Sequence, residues 1–384
     1  MNSPRAIADA EVVVADQVRT QCVPVWFRVA SFPDRTAGNP HLDLFFSGLG
    51  AHGIALTGRF EPHPRWIRKN ATAVDAIHLH WPEKIWRGKT RGRLHGAVRA
   101  LTLARYRAVF RFALTLKAAK KAGIKRIWTV HNIEPHEGAT WLDRLGYRIA
   151  ARNIDLAICY SHAAVQQVRD RYNPAGETVA MAHGNYAGIY PEPRDRRSVL
   201  REFGLDPDVP LVSCIGIIRP YKGLDLACQA VRSLQGAVQL AICGAPHSSG
   251  DTAAIEAEMR TVRGVLVARA LNDQEFSDLI GASEAVLLPY RKITGSGSLL
   301  AAWTLGRGVI ASDLPLFREM LAQEPASGDL FRPEDSRSLA ESITRYLNIA
   351  PHVREAAALR TAQSYSWDQT VKPVVEVMQR WQTQ

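Results

Sequence analysis

Residues 211–234 read LVSCIGIIRPYKGLDLACQAVRSL, and they contain one complete unit of strand, turn and helix. The unit opens with a mostly apolar run whose length and composition are typical of a buried strand. A short polar turn follows, and a helical stretch closes the unit. Strands that alternate with helices in this way predict a parallel sheet covered by helices on both faces.

The same alternation continues on both sides of this unit. A chain of 384 residues is too long for one typical core, so two domains are expected. We therefore predict an α/β protein built from two Rossmann-like α/β/α domains that face each other across a cleft. The predicted divisions are a tail (1–22), a first domain (23–188), a linker region (189–208) and a second domain (209–365).

The turn at the end of the strand 211–218 has the residues of a phosphate site. Gly216 and Gly223 bound it, and between them it carries Arg219 and Lys222. A guanidinium can bind two phosphate oxygens at once, and an ammonium adds a point charge. Taken alone, such a turn is more often a solvated surface loop.

A second phosphate-suited feature follows the strand 284–290. The loop Thr294, Gly295, Ser296, Gly297 and Ser298 opens a helix there. The backbone N–H groups at a helix start attract anions, and glycine allows a close approach. Two such features at the ends of two strands of one sheet predict a diphosphate-binding edge.

Polar residues also gather where strands of the first domain end. His80, Trp81 and Glu83 follow one strand, and the run HNIEPHE (131–137) follows the next. Ligands collect at the carboxyl ends of parallel strands, so these residues are expected on one working edge. A metal site in HNIEPHE is a rival interpretation, but its proline disfavours a helix with ligands on one face, and we expect no metal.

Charge is distributed unevenly along the chain. Residues 84–126 contain 14 basic and no acidic residues, with apolar and aromatic residues at roughly helical spacing among them. A basic amphipathic helix of this kind can lie on an anionic membrane or contact a lipid diphosphate. An ordinary helix with a solvated basic face remains an alternative. Nucleic acid is not expected as a partner, because no recognition motif accompanies the charge.

The five cysteines point to a reducing compartment. They are odd in number and scattered, without a C-x-x-C pair. We also find no run of about 18–20 apolar residues that would span a bilayer and no apolar signal core near residue 1. The expected location is therefore cytoplasmic, peripheral on the inner face of the membrane.

Two strings carry a resemblance to a known family. GIIRPYKGLDLA and LLPYRKITGSGSLLAAWTLGRGVIASD resemble the donor-binding domain of the family-4-like GT-B glycosyltransferases. The resemblance is best over 205–345 and looser over 75–190, where HLHWPE and MAHGNY resemble bacterial exopolysaccharide sugar transferases. It implies that Arg219, Lys222 and the loop 294–298 hold the donor diphosphate, and that His131 faces the donor sugar. It also implies that the final helix, within 366–384, crosses back to the first domain.

One departure from the family pattern concerns the donor sugar and ribose. The family has a Glu before the glycine loop and another eight residues later, and these positions are Thr294 and Ala302 here. The resemblance therefore leaves open whether the anomeric configuration is retained or inverted. Inversion needs a base near the acceptor hydroxyl. The candidate carboxylates for this base in the first domain are Asp34, Glu83, Glu134 and Glu137, and a histidine is the alternative.

Taken together, these features predict a hexosyltransferase that uses a GDP- or UDP-sugar. The predicted catalytic residues are His131, Glu134, Glu137 and Asp34, while His80, Trp81 and Glu83 are expected to bind a glycan or a lipid-diphosphate-linked acceptor. Cationic side chains and a helix start can neutralise the leaving group, so we expect no cofactor and no metal. The alternatives are a non-catalytic GT-B scaffold subunit and a sugar-nucleotide epimerase.

Overall fold

The first sheet consists of parallel strands. The computed structural model of the chain describes residues 23–36, 39–87, 97–134, 139–247 and 249–383. Within these ranges the sheet has the strand order β2-β1-β3-β4-β5-β6. Its strands are β1 (Phe27–Phe32), β2 (Ile54–Arg59), β3 (Ala76–Leu79), β4 (Lys125–Thr129), β5 (Leu156–Cys159) and β6 (Glu177–Ala180).

Helices cover both faces of this sheet. The helices along this part of the chain are α1 (His41–Gly50), α2 (Pro64–Asn70), α3 (Glu83–Arg87), α4 (Ala97–Lys121), α5 (Trp141–Asn153) and α6 (His162–Tyr172). α2 to α6 share one apolar core with the sheet. α1 packs on the opposite face. Burial of both faces explains why the central strands β3 and β5 are nearly continuous apolar runs.

The second sheet repeats the architecture. Its order among the described residues is β12-β11-β10-β7-β8-β9, again with parallel strands. Its strands are β7 (Leu211–Ile215), β8 (Gln239–Cys243), β9 (Gly264–Val267), β10 (Ala285–Leu288), β11 (Gly308–Ser312) and β12 (Gly328–Phe331). The associated helices are α7 (Arg196–Glu202), α8 (Leu224–Ser233), α9 (Ser249–Met259), α10 (Asp273–Ala282), α11 (Gly297–Thr304), α12 (Pro315–Leu321), α13 (Ser336–Leu347) and α14 (Pro351–Ser364).

The last two helices return to the first sheet. They are α15 (Trp367–Thr370) and α16 (Lys372–Gln382), and their apolar residues join the core formed by β1 and α1. An ion pair between Arg380 and Glu177, 2.7 Å long, links α16 to β6. The end of the chain therefore belongs physically to the first sheet, although it follows the second in sequence.

Strand order determines where ligands can bind. In the first sheet β1 lies between β2 and β3, and in the second β7 lies between β8 and β10. The connections leave in opposite directions at these points, so a crevice opens beyond the strand ends. The loops after β1 and β3 line one crevice, and the loops after β7 and β10 line the other. Both crevices contain residues that the sequence singled out.

Candidate active site

Lys222 is a buried cation at the end of β7. Its side chain is 8% exposed, and its ammonium lies 5.5 Å above the ring of Tyr290. Burial lowers the pKa of this lysine, and the nearby Arg219 lowers it further. Within the described residues no carboxylate pairs with it. A buried charge is costly unless it is paired, so this ammonium is suited to receive an anion.

Gly216 leaves room for that ammonium. Its φ is +115°, and a Cβ built on it would lie 2.8 Å from the Lys222 Nζ. The same Cβ would lie 3.6 Å from the hydroxyl of Ser298, which belongs to the first turn of α11. The turn after β7 and the helix start after β10, both of which the sequence predicts to bind phosphate, therefore converge.

The start of α11 is shaped by Ser296. Its side chain caps the helix by accepting a hydrogen bond of 3.2 Å from the Leu299 N–H. Gly297 and Ser298 follow with the backbone N–H groups that a helix leaves free at its start. Gly223 allows the turn after β7 to approach the chain after β10. Its φ is +62°, and a Cβ there would lie 2.0 Å from the Pro289 carbonyl oxygen.

Arg219 faces a different space. Together with residues of α8 and α9 it lines a cavity of about 320 Å³. Its Nε is buried without a hydrogen-bond partner, and no carboxylate pairs with it in the part of the chain that the structure describes. The structure thus separates the two basic residues of the turn. Lys222 lies beside Gly216 and Ser298 at the start of α11, and these three residues form what we call the cradle. Arg219 instead borders the adjacent cavity.

The glycine loop also contacts the first domain directly. Thr294 donates a hydrogen bond from its hydroxyl to the His131 carbonyl oxygen. Gly295 packs on Tyr160, and a Cβ built on it would lie 2.6 Å from that ring. The loop predicted to bind the donor phosphates is therefore held against the strand end that carries His131.

Four side chains of the first domain form one hydrogen-bonded chain. His80 Nδ1 lies 3.0 Å from His131 Nε2, and His131 Nδ1 lies 3.3 Å from the Tyr160 hydroxyl. That hydroxyl is in turn 2.9 Å from His41 Nε2. Trp81 stacks on His131 with ring centroids 4.0 Å apart. Both ring nitrogens of His131 are consequently occupied inside the first domain.

The imidazoles of this chain are neutral. Burial is the first cause of the lowered pKa values of His41, His80 and His131, and neighbouring histidines add to it. Each neutral ring has one donor and one acceptor nitrogen. The hydrogen-bonded chain can then be arranged in two ways, with the unpartnered N–H at either the His80 or the His41 end.

The same three histidines are close enough to share a metal. His41, His80 and His131 each offer a nitrogen within 4.8 Å of the others. Of the residues in HNIEPHE that could bind a metal, His136 and Glu137 lie outside the described ranges. The hydrogen bonds within the chain account for most of these nitrogens without an ion. His41 and Tyr160 were not singled out from the sequence: Tyr160 directly follows β5, whereas His41 is the first residue of α1.

The predicted carboxylates differ in their surroundings. Glu83 accepts a hydrogen bond of 3.0 Å from the Tyr147 hydroxyl, and burial raises its pKa. Glu134 pairs with Arg171 and, at 4.0 Å, with Arg144. Asp34 is half-buried after β1 and makes no hydrogen bond or ion pair with any described residue. Glu137 lies outside the described residues.

His183 is a further histidine beside the glycine loop. It lies in the segment that leaves β6, within the quoted MAHGNY, and no role was assigned to it from the sequence. Its ring centroid is 4.6 Å from that of His41 and 5.2 Å from that of Trp367. His183 thus joins the histidine cluster from the segment that follows β6.

The long helix α4 has two apolar faces, whereas the sequence pattern suggested one. Val109, Phe112 and Leu116 are buried against the first sheet. A stripe on the opposite face is exposed, and Trp141 and Leu145 of α5 extend it. Tyr106 and Trp141 connect the two helices, with ring centroids 5.3 Å apart. The stripe on α4 consists of Leu103, Tyr106, Phe110 and Leu114.

Basic residues flank this exposed stripe. Arg107, Arg111 and Lys117 are exposed on α4 and pair with no acidic side chain in the described ranges. Arg144 and Arg148 are exposed on α5. None of the helices in the described part of the chain has the length and apolarity to cross a bilayer.

The fold and the two facing crevices define a GT-B protein, as the sequence predicted. Sucrose-phosphate synthase (tll1590) from Thermosynechococcus elongatus matches with a TM-score of 0.66 over 93% of this chain and 98% of that one, at 15% identity. Anabaena Alr3699/HepE, solved with UDP and glucose, matches with a TM-score of 0.66 over 92% of this chain and all of that one, at 14% identity. At these identities the likeness concerns the fold alone.

Within that fold, the second domain is similar to the family described as glycosyl transferases group 1. The family model of that description matches residues 209–348, which include both phosphate-suited loops. A GDP-mannose:glycolipid 4-beta-D-mannosyltransferase from Xanthomonas campestris pv. campestris is 28% identical over 239 residues. That alignment covers 62% of this chain and 61% of the relative, which is less than two thirds of the relative's length.

Proposed function

We propose that the chain is a glycosyltransferase that moves a hexosyl group from a nucleotide-sugar to a lipid-linked or polysaccharide acceptor. The observation that carries the proposal is the buried Lys222 ammonium, which lacks a carboxylate partner among the described residues and lies beside Ser298 and the start of α11. A diphosphate supplies the missing negative charge. The group 1 match over the same residues supports this assignment.

The donor is proposed to be GDP-mannose, with UDP-sugars as the second choice. The Xanthomonas relative is named for GDP-mannose and for a glycolipid acceptor, which favours the same chemistry here. As the sugar leaves the diphosphate, negative charge grows on the phosphate oxygens. Lys222 and the N–H groups of α11 can stabilise that charge, so we propose that no divalent metal or other cofactor is required.

The donor sugar is proposed to lie at the histidine-lined edge of the first domain. The Thr294 hydroxyl donates a hydrogen bond to the His131 carbonyl oxygen, so the glycine loop and the end of β4 are in contact. A sugar attached to a diphosphate at that loop would therefore lie next to the end of β4. His131 is proposed to line the site and to face the donor sugar. The half-buried Trp81 and Glu83 are proposed to contact the acceptor, whereas His80 is buried behind them.

Asp34 is the carboxylate proposed to act as base if the configuration is inverted. It stands in the loop after β1 without a partner among the described residues, so its oxygens are available to an acceptor hydroxyl. Glu134 is held by Arg171 and Arg144, which makes it the weaker candidate. Glu137 stays a candidate from the sequence alone.

The acceptor is proposed to be presented at an anionic membrane surface on the cytoplasmic side. The exposed stripe of α4 and α5 and its basic flanks combine apolar contact with positive charge, and they fall largely within the basic stretch 84–126. This combination is typical of proteins that lie on a bilayer without crossing it. A glycolipid acceptor would then reach the crevice from the membrane.

A nucleotide screen followed by a transfer assay tests the proposal. The full chain is titrated calorimetrically with GDP, UDP, GDP-mannose and UDP-glucose, with magnesium or with EDTA, and then incubated with the bound donor and a lipid extract. We expect one nucleotide to bind regardless of metal and its sugar to appear in the lipid fraction. Binding without any transfer would favour the non-catalytic scaffold, and donor breakdown without acceptor would favour the epimerase. Absence of nucleotide binding would refute the transferase.

A further inference from the structure

His183 has its hydrogen-bonding state dictated by the backbone. Its Nδ1 lies 2.7 Å from the carbonyl oxygen of Gly184. A carbonyl oxygen can only accept, so Nδ1 must carry the proton. Burial lowers the pKa of His183 to about 4, which leaves the ring neutral at pH 7. The other ring nitrogen, Nε2, therefore bears a lone pair and can only accept a hydrogen bond.

That lone pair stands beside the glycine loop. A Cβ built on Gly297 would lie 3.8 Å from His183 Nε2 and 2.6 Å from the Tyr186 hydroxyl oxygen. Gly297 is the first residue of α11, next to the Ser298 that borders Lys222. In the described part of the chain the bond to Gly184 is the single hydrogen bond of the His183 ring.

His131 differs from His183 in this respect. Both nitrogens of His131 are engaged, one with His80 and the other with Tyr160. A bound sugar could use either nitrogen only by displacing an existing hydrogen bond. At His183 the acceptor nitrogen is available, and the hydrogen bond to Gly184 fixes the ring's proton in place. The residue that the sequence favoured is therefore the less available of the two.

We propose that His183 is a specificity-determining residue whose Nε2 accepts a hydrogen bond from a hydroxyl group of the donor sugar. The nearby phosphates are excluded as its partner, because their oxygens carry lone pairs that a second lone pair repels. A sugar hydroxyl supplies the required proton and is attached to the diphosphate that the α11 start would hold. The inference rests on the proposed function, since it requires a nucleotide-sugar in the cradle.

Two substitutions test the role of Nε2 as a hydrogen-bond acceptor separately from the hydrogen bond that Nδ1 donates to Gly184. In His183→Asn the side-chain amide can still donate to Gly184, but nothing replaces Nε2. In His183→Gln the longer side chain can place an oxygen near the former Nε2. Calorimetry then gives the Kd of GDP and of GDP-mannose for the wild-type chain and both variants, and UDP and UDP-glucose replace them if the chain binds those instead.

We expect His183→Asn to weaken the sugar nucleotide about three- to tenfold, the range of one neutral hydrogen bond, and to leave the free nucleotide within about twofold. His183→Gln should restore part of the loss. Equal weakening of both ligands, or of neither, would overturn the proposal. If the wild-type chain binds no nucleotide at all, the proposed function fails first and the inference falls with it.

Nucleotide-sugars that lack a single sugar hydroxyl identify the hydroxyl that His183 contacts. Because they are also measured with the wild-type chain, the result does not depend on the folding of a variant alone. The wild-type chain should lose affinity for one deoxy-sugar nucleotide, and His183→Asn should bind that analogue as well as the wild-type chain does. Should the Asn variant melt far below wild type, the comparison is made with His183→Gln. Additive losses with every analogue would show that His183 contacts no sugar hydroxyl.

Discussion

The two crevices of the molecule are built in different ways. The proposed donor site of the second domain comes from two short loops, one after β7 and one after β10, in which glycines let charged and polar groups approach closely. The edge of the first domain is assembled from four separate places in the chain, which bring His41, His80, His131 and Tyr160 together. A local motif thus forms one site, and long-range packing forms the other.

Acid should affect the two domains unequally, and this is the largest effect we expect. His78 has a pKa of about 3 and His183 of about 4, both lowered by burial, whereas an unfolded histidine titrates near 6.5. The unfolded chain binds more protons between these values, so stability falls as the pH drops from about 6.5 towards 4. Each of the two histidines should cost about 2 kcal/mol at pH 5.

Hydrogen exchange measured peptide by peptide at pH 7 and pH 5 would detect this difference. The first domain should lose protection at pH 5 while the second keeps most of it, because the second domain's His247 and His352 are exposed. His78→Gln should flatten the pH dependence of unfolding, and His352→Gln should not. Uniform loss of protection in both domains would contradict the expected difference between them.

Gly223→Ala tests how tightly the proposed donor site is packed. The left-handed φ of +62° is unfavourable for alanine, and its Cβ would meet the Pro289 carbonyl oxygen at 2.0 Å. The matched control is Gly188→Ala, where φ is +73° and nothing lies within 4 Å of the new Cβ.

Urea denaturation should separate the two glycine variants. We expect the control to lose about 1–2 kcal/mol of unfolding free energy from backbone strain alone. Gly223→Ala should lose roughly 1–3 kcal/mol more through the clash. Equal losses would mean that the loop after β10 yields easily, and the cradle would then be less rigid than the structure suggests.

Lys222→Met should weaken donor binding and stabilise the empty protein. Burial disfavours the charged ammonium in the folded state, so below its pKa the group costs stability that an apolar side chain of similar length does not. Its contact with a diphosphate is charge-assisted, and losing about 1.5–3 kcal/mol weakens the donor roughly ten- to hundredfold.

Calorimetry measures the donor affinity of Lys222→Met, and thermal melting measures the stability of the empty variant. Lys69→Met, at an exposed position of α2, is the control and should change neither. A variant that binds donor normally would remove the phosphate assignment. One that binds donor poorly but also melts early would indicate that Lys222 mainly supports the fold.

The sequence predicted the central strands and one edge strand, β9, through its apolar run GVLV, but it missed three other strands at the sheet edges. β7, β8 and β10 are buried apolar strands, and they lie within the runs 211–218, 237–244 and 284–290 from which the sequence predicts strands. β2, β6 and β12 were not recognised, and each is an edge strand. An edge strand covers less of the core, so its residues alternate or are partly exposed, as in IALTGR and ETVA. The apolar run that marks a central strand is therefore weak or absent there.

The candidate site divides along similar lines. Gly216, Lys222 and Ser298 were predictable because each loop is contiguous and its chemistry is local. The hydrogen bonds that occupy both nitrogens of His131 come from residues 29 and 51 positions away, so no local pattern reveals them. His183 became notable only when the geometry placed it beside Gly297.

The outer stripe of α4 and α5 extends the contrast to the surface, and it gives the smallest effect we expect. Phe110 is 66% exposed and Trp141 57%. Large apolar side chains exposed together are unusual on a soluble surface unless they have a partner. Phe110→Glu removes apolar contact and adds a charge that anionic lipid repels. We expect binding to anionic vesicles to fall about tenfold, with donor affinity unchanged.

Flotation with vesicles of phosphatidylglycerol and phosphatidylcholine measures this loss. The control is Val353→Glu, because Val353 is also exposed, at 39%, but lies on α14 of the second domain. Wild-type binding should fade as salt screens the flanking arginines. If Phe110→Glu and Val353→Glu behave alike, the stripe does not meet the membrane. The basic stretch would then be the solvated face of an ordinary helix, and a glycolipid acceptor would need another route to the crevice.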